Sequence, residues 1–158
     1  MKNAVLGIMA MISFFLNGCG QRADTDVTSS PKYNFSSFAG TAWKTKVKTV
    51  VADVKRYNGW HEPTLLGPQS FDPTYPEYRR PPDLQQIVTE LPVGTSLTIE
   101  RLMQDNGNWG GVQVTASLED GKVVYLSRRL LARNRFLFPG SSDPKDWGVN
   151  PDMLEKAE

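Results

Sequence analysis

Residues 112–126 read VQVTASLEDGKVVYL. Val112, Val114, Ala116 and Leu118 alternate with Gln113, Thr115, Ser117 and Glu119. This period of two places every second side chain on one face of a half-buried strand. Asp120-Gly121 then interrupts the pattern, and this dipeptide between alternating apolar runs is a strong signal for a type I′ hairpin turn. A two-residue turn there pairs Glu119 with Lys122, Leu118 with Val123 and Ala116 with Tyr125. It sets opposite charges across the strands and apolar side chains on one face.

The flanking sequence repeats the same code. In TSLTIER (95–101) Leu97 and Ile99 alternate with polar neighbours, and Asp105-Asn106-Gly107-Asn108 is a turn cluster. In TAWKTKVKTVVADV (41–54) Trp43, Thr45, Val47, Thr49 and Val51 share one face, with Lys44, Lys46 and Lys48 on the other. The lysines read as a solvated face or a guarded edge. Ser127 to Leu131 fits one tight helical turn, and Ala132 to Phe138 a last strand. With 158 residues the chain is expected to form one domain, and the fold class is all-β.

Residues 54–92 are different. Six of the 11 prolines lie between Pro63 and Pro82, with Tyr57, Trp60, Phe71, Tyr75 and Tyr78 before and among them and Arg79-Arg80 beside them. Proline removes a backbone donor and fixes φ, so a long, partly extended loop is expected. Its aromatic faces are candidates for stacking on sugar rings or proline. Tyr57, Trp60, Phe71, Tyr75, Tyr78, Arg79 and Arg80 are therefore the candidate binding residues, against the plainer reading of a satellite core that pins the loop. Asp83 to Leu91 fits either a helix capped by Asp83, with Leu84, Ile87, Val88 and Leu91 on one face, or extended structure, which is preferred.

At the chain start, Lys2 precedes an uncharged apolar stretch from Ala4 to Leu16, and Gly18, Cys19 and Gly20 are small. Thirteen such residues fall short of the roughly 20 that span a bilayer and suit the central region of a secretory signal. Leu16-Asn17-Gly18-Cys19 resembles the lipobox of bacterial lipoproteins, with Asn17 departing from the usual small or aliphatic residue. The resemblance implies cleavage between Gly18 and Cys19, lipid on the Cys19 thiol, and a membrane partner through that lipid. Gly20, where Asp would imply inner-membrane retention, implies an outer-membrane address facing the periplasm if the source is Gram-negative. The organisation expected is a signal over 1–18, a lipidated tether over 19–37, a β-domain over 38–138 and a tail over 139–158. In the tail, Asn150-Pro151 suggests a short helix and Trp147 a pin to the domain.

Leu91-Pro92-Val93-Gly94-Thr95, Gly107-Asn108-Trp109-Gly110-Gly111-Val112 and Asp120-Gly121-Lys122 together resemble a bacterial Src-homology-3-like barrel over about residues 40–137. The resemblance implies five strands, a long first loop that lines a peptide or glycan groove, and the distal hairpin at Gly121. It departs in its longer first loop and in Val124-Tyr125 where a further glycine is usual. An oligonucleotide-binding-fold barrel or another small β-sandwich fits the same pattern.

The chain carries 18 Lys+Arg, 17 Asp+Glu, one His and one Cys. Loss of Lys2 with the signal leaves equal numbers of each sign, so no nucleic-acid partner is expected. A lone Cys excludes an internal disulfide and any multi-Cys metal site, and no cofactor motif is present. An acylated Cys19 is no nucleophile, and His61 alone supplies no triad. Glu62, Asp72 and Glu77 share its loop, so an envelope hydrolase is the weaker alternative. Arg128, Arg129, Arg133 and Arg135 form a basic run that reads as a solvated face. The expectation is a lipid-anchored envelope protein with a non-catalytic domain that binds peptidoglycan or an envelope protein, or else an accessory subunit of an envelope complex. Cys19→Ala is expected to abolish incorporation of a labelled lipid precursor and to release the protein from the membrane fraction; labelling that persists in the variant contradicts the lipobox assignment.

Overall fold

The computed structural model describes residues 24–55, 59, 61–104, 111–131 and 147–158. Among them the alternating stretches become nine strands and no α-helix forms. The strands are β1 (Thr25–Asp26), β2 (Ala42–Thr45), β3 (Thr49–Lys55), β4 (His61–Leu66), β5 (Leu84–Leu91), β6 (Ser96–Gln104), β7 (Val112–Leu118), β8 (Val123–Leu126) and β9 (Leu154–Lys156). Short 3-10 turns cover Pro68–Ser70 and Arg128–Leu130. The strands form one mixed sheet in the order β5-β3-β4-β8-β7-β6-β2-β9, and β1 pairs with the far end of β6. Thr64↔Tyr125 and Leu65↔Leu126 join β4 to β8 in parallel; the other described pairings are antiparallel.

Laid flat, the eight strands of that order would spread over roughly 34 Å. Yet Val51 of β3, Leu65 of β4, Leu97, Ile99 and Leu102 of β6, Val114 and Ala116 of β7, Val124 of β8 and Leu154 of β9 belong to one buried cluster. The sheet therefore curls around one main core while its end strands, β5 and β9, stay unpaired with each other. Tyr33, Phe35 and Phe38 fill this core from the N-terminal side, and Phe35 is fully buried. Phe35 meets Trp147 edge-on at 4.7 Å and Phe38 at 5.6 Å, and the Trp147 indole N–H donates to the Tyr33 carbonyl at 2.7 Å. The tether expected over 19–37 is thus corrected for residues 24–37, which pair with β6 at Thr25–Asp26 and pack on the core at Tyr33 and Phe35. Three aromatics in a Ser-rich stretch bury more apolar surface than the polar residues around them can hold in water.

The five-stranded barrel is also corrected. Residues 42–55 break at Lys46–Lys48 into two strands with different partners, β2 beside β6 and β9, β3 beside β4 and β5. The break is held by Thr45: its N–H donates to the Thr95 carbonyl, its carbonyl accepts from Gly94 N–H, and its hydroxyl donates to the Pro92 carbonyl. Gly94 supports the facing turn with a φ of +88°. The proline-rich region contributes a strand of its own, β4, in which Pro63 lies outside the two residues paired with β8. There its missing N–H costs no ladder bond on that side.

The distal hairpin is present with its register shifted by one residue. Ala116 faces Val124 and Ser117 faces Val123, while Leu118 N–H donates to the Lys122 carbonyl. Glu119-Asp120-Gly121 is a three-residue loop, with Gly121 at φ +79° and no positive φ at Asp120, so the turn is not type I′. The shift sets fully buried Ala116 and Val124 side by side on the face that meets the core. The expected C-terminal helix is corrected as well. Asn150 caps a single turn through Asp152 N–H, and then Leu154, Glu155 and Lys156 pair with Thr45, Lys44 and Trp43. A helix this short is marginal, whereas pairing gives the open edge of β2 a partner. The strand expected over 132–138 lies outside the described residues.

Phe35→Ala is expected to cost about 3–5 kcal/mol in urea unfolding, whereas exposed Ser36→Ala stays within roughly 0.5 kcal/mol. Equal midpoints for the two variants would remove Phe35 from its place in the core.

Candidate functional site

The loop between β4 and β5 is wound into turns, and the extended parts of residues 54–92 are the end of β3, β4 and β5. Pro68 opens a 3-10 turn in which Ser70 N–H donates to the Gly67 carbonyl, and Asp72 N–H reaches back to Pro68. Asp72 Oδ1 accepts from the Thr74 amide at 2.9 Å and the Thr74 hydroxyl at 2.7 Å. The Thr74 hydroxyl, followed by its amide, holds the Asp72 carboxyl below its ordinary pKa. Further turns join Tyr75 to Asp72 and Tyr78 to Tyr75, and Arg79 N–H closes the loop on the Gln69 carbonyl at 2.7 Å. Arg129, from the turn after β8, donates through Nη1 to the Gln69 and Glu77 carbonyls, each at 3.3 Å. The loop is therefore pinned to the body of the sheet by a guanidinium that the basic-run reading had left in solvent. Asp26, on β1, is likewise held below its ordinary pKa, chiefly by hydrogen bonds from Thr28.

Under this loop lies a second, smaller core of Val50, Ala52, Leu66 and Leu84, with half-buried Phe71 packed on it. Strand β3 is thus covered on both faces, since Val51 points to the main core and Val50 and Ala52 to this one. The pairing of β5 with β3 carries two bulges. Val50, Ala52 and Val54 face Glu90, Ile87 and Leu84, and the register shifts fall at Val88 and Gln85. Each bulge adds a residue, so Leu84, Ile87 and Glu90 share a face at a spacing of three instead of two. Leu91 falls on the opposite face, against the main core.

The result is a cleft of about 190 Å³ between loop and strand, lined by Ser70, Phe71, Tyr78, Arg80, Leu84 and Ile87. Three of the expected binding residues, Phe71, Tyr78 and Arg80, come together there. Tyr75 turns to the main core and Arg79 is exposed outside the lining. Tyr57 and Trp60 lie outside the described residues, as do Gly18 and Cys19. The sequence reading missed Leu84 and Ile87 as cleft residues; their spacing of three was the available signal. Among the described residues neither Arg79 nor Arg80 is paired with a carboxylate.

A second cleft of similar volume lies between β4, β7 and β8, but its polar side chains Glu62, Gln113, Tyr125 and Arg128 are already engaged. His61 has a partner that spacing did not reveal: its Nδ1 lies 2.8 Å from Asp53 Oδ2 across β3 and β4. Among the described residues no hydroxyl bonds to His61, and no three His, Cys, Asp or Glu side chains gather as a metal site. No helix among them is long and apolar enough to cross a membrane. Comparisons with protein-family models, with curated proteins and with solved structures returned no match.

Arg129→Met is expected to loosen the loop by about 1.5 kcal/mol, read as roughly tenfold faster hydrogen exchange at the amides of Tyr78 and Arg79. Exchange unchanged from that of Glu119→Gln would show that Arg129 does not hold the loop.

Proposed function

We propose that this protein is a lipid-anchored component of a bacterial cell envelope, with an all-β domain that binds a partner without catalysis. The observation that carries the location is Leu16-Asn17-Gly18-Cys19 behind Lys2 and an apolar stretch, with the chain's single Cys at the acylated position. The membrane is then the first partner, through lipid on Cys19, and an outer-membrane, periplasm-facing site follows from Gly20 in a Gram-negative source. Four residues separate Cys19 from Asp24, where the described chain begins, so the lipid and the domain are joined by at most about 18 Å of chain.

The cleft supports the binding role. It combines two aromatic side chains, an aliphatic floor and a guanidinium with no carboxylate partner among the described residues, at a loop held by Arg129. Such a small apolar concavity with one polar anchor suits recognition. Its occupant is peptidoglycan or an envelope protein, and an accessory subunit of an envelope complex would use the same surface. A photo-cross-linking amino acid at Tyr78 is expected to trap a defined envelope species in growing cells, and one at Glu119 on the distal hairpin is not. Equal capture from both sites, or none from Tyr78, would end this assignment of the cleft.

A further inference from the structure

Among the described residues β5 pairs with β3 and with no other strand, so it forms one edge of the sheet. The row of backbone donors and acceptors on an edge is a template for a further strand. Edges are commonly guarded by lysine, proline or shortness. β5 has 8 residues, no lysine and no proline, and its single charged residue, Glu90, is held by Lys48 at 2.6 Å. Ile87 is 44% exposed and Val88 51% exposed, and Val93 just beyond the strand is 62% exposed. The two bulges are the guard that remains. They place Ile87 at the lip of the cleft and do not cover it.

The cleft itself narrows the choice of occupant. Its 190 Å³ is below the roughly 300–1,000 Å³ of sites that enclose a whole small molecule. It has room for one side chain. Apolar Phe71, Leu84 and Ile87 ask for an apolar side chain, and Arg80 asks for a carboxylate. On an added strand, side chains two residues apart lie on one face about 6.8 Å from each other.

We propose that β5 accepts an extended segment of a partner protein as an added strand, with one apolar side chain in the cleft and a carboxylate two residues along on Arg80. This rests on the cleft being the binding surface. Main-chain pairing gives the affinity, and the apolar-then-acidic spacing gives the choice of segment. A peptidoglycan stem peptide, with residues of both hands, does not continue a ladder built for one hand.

The test uses the full-length protein in detergent and two Thr/Val heptapeptides with a central Leu, one with Glu and one with Gln two residues later. The Glu peptide is expected to bind about fivefold tighter than the Gln peptide, a preference that Arg80→Gln removes. Binding should slow amide exchange across Ile87–Thr89 by about tenfold or more. Ile87→Asp, at an exposed position, should weaken both peptides by about tenfold with the thermal midpoint retained. No binding below roughly 1 mM overturns the proposal. So does binding that leaves β5 exchange unchanged, and so does displacement of the peptides by soluble muropeptides. Cross-linking at Tyr78 without β5 protection rejects strand addition alone, whereas loss of the Tyr78 cross-link rejects the binding surface itself.

Discussion

An open sheet that curls must be given something to curl around. Here that is Phe35. The strands supply aliphatic side chains of modest size, and the concave face they enclose is completed by an aromatic group that belongs to no strand. Phe35 makes edge contacts with Phe38 and Trp147, the geometry in which the positive rim of one ring meets the negative face of another. The contact draws the first described segment and the last one onto the same core. β1 and β9, the two short strands at the ends of the described chain, pair with β6 and β2 beside it.

What was legible in the sequence is what local periodicity records. The alternation in 112–118 and 96–99 gave strands, and Asp120-Gly121 gave a hairpin. Its register was missed because the turn type depends on the sign of φ at Asp120, which the dipeptide alone does not set. The double reading of 83–91 has a physical cause. Two bulges convert a period of two into a spacing of three at Leu84 and Ile87, and that spacing imitates one face of a helix. Tyr33 and Phe35 were outvoted by the Ser and Thr around them, because composition averages over a window while burial acts on single side chains; Phe38 fell at the expected start of the domain. Of the site, Phe71, Tyr78 and Arg80 were legible as an unusual residue set. Leu84 and Ile87 were not, since their place beside the loop comes from strand pairing.

The chemistry of the cleft follows from how the loop is held. A loop this rich in proline has little backbone freedom to lose, and its Gly67, Pro68, Gln69, Asp72, Tyr75 and Glu77 carbonyls accept bonds within short turns, from Arg79 or from Arg129. Its aromatic groups are therefore presented by a stiff support. Two arginines differ accordingly: Arg129 donates to the protein's own backbone, and Arg80 lines the cleft with no carboxylate partner among the described residues.

The bond from Trp147 to Tyr33 joins residues 114 apart in the chain. Any process that delivers the chain from its N-terminal side presents the aromatic plug well before its lid. Until then Tyr33, Phe35 and Phe38 have no complete shelter, and contacts of such long range form slowly because a large loop must close first. The core therefore gains its full cooperativity only when both segments are in place. A chain delivered only short of Trp147 would carry an exposed greasy segment at Tyr33, Phe35 and Phe38, a natural handle for a chaperone that holds incompletely folded chains.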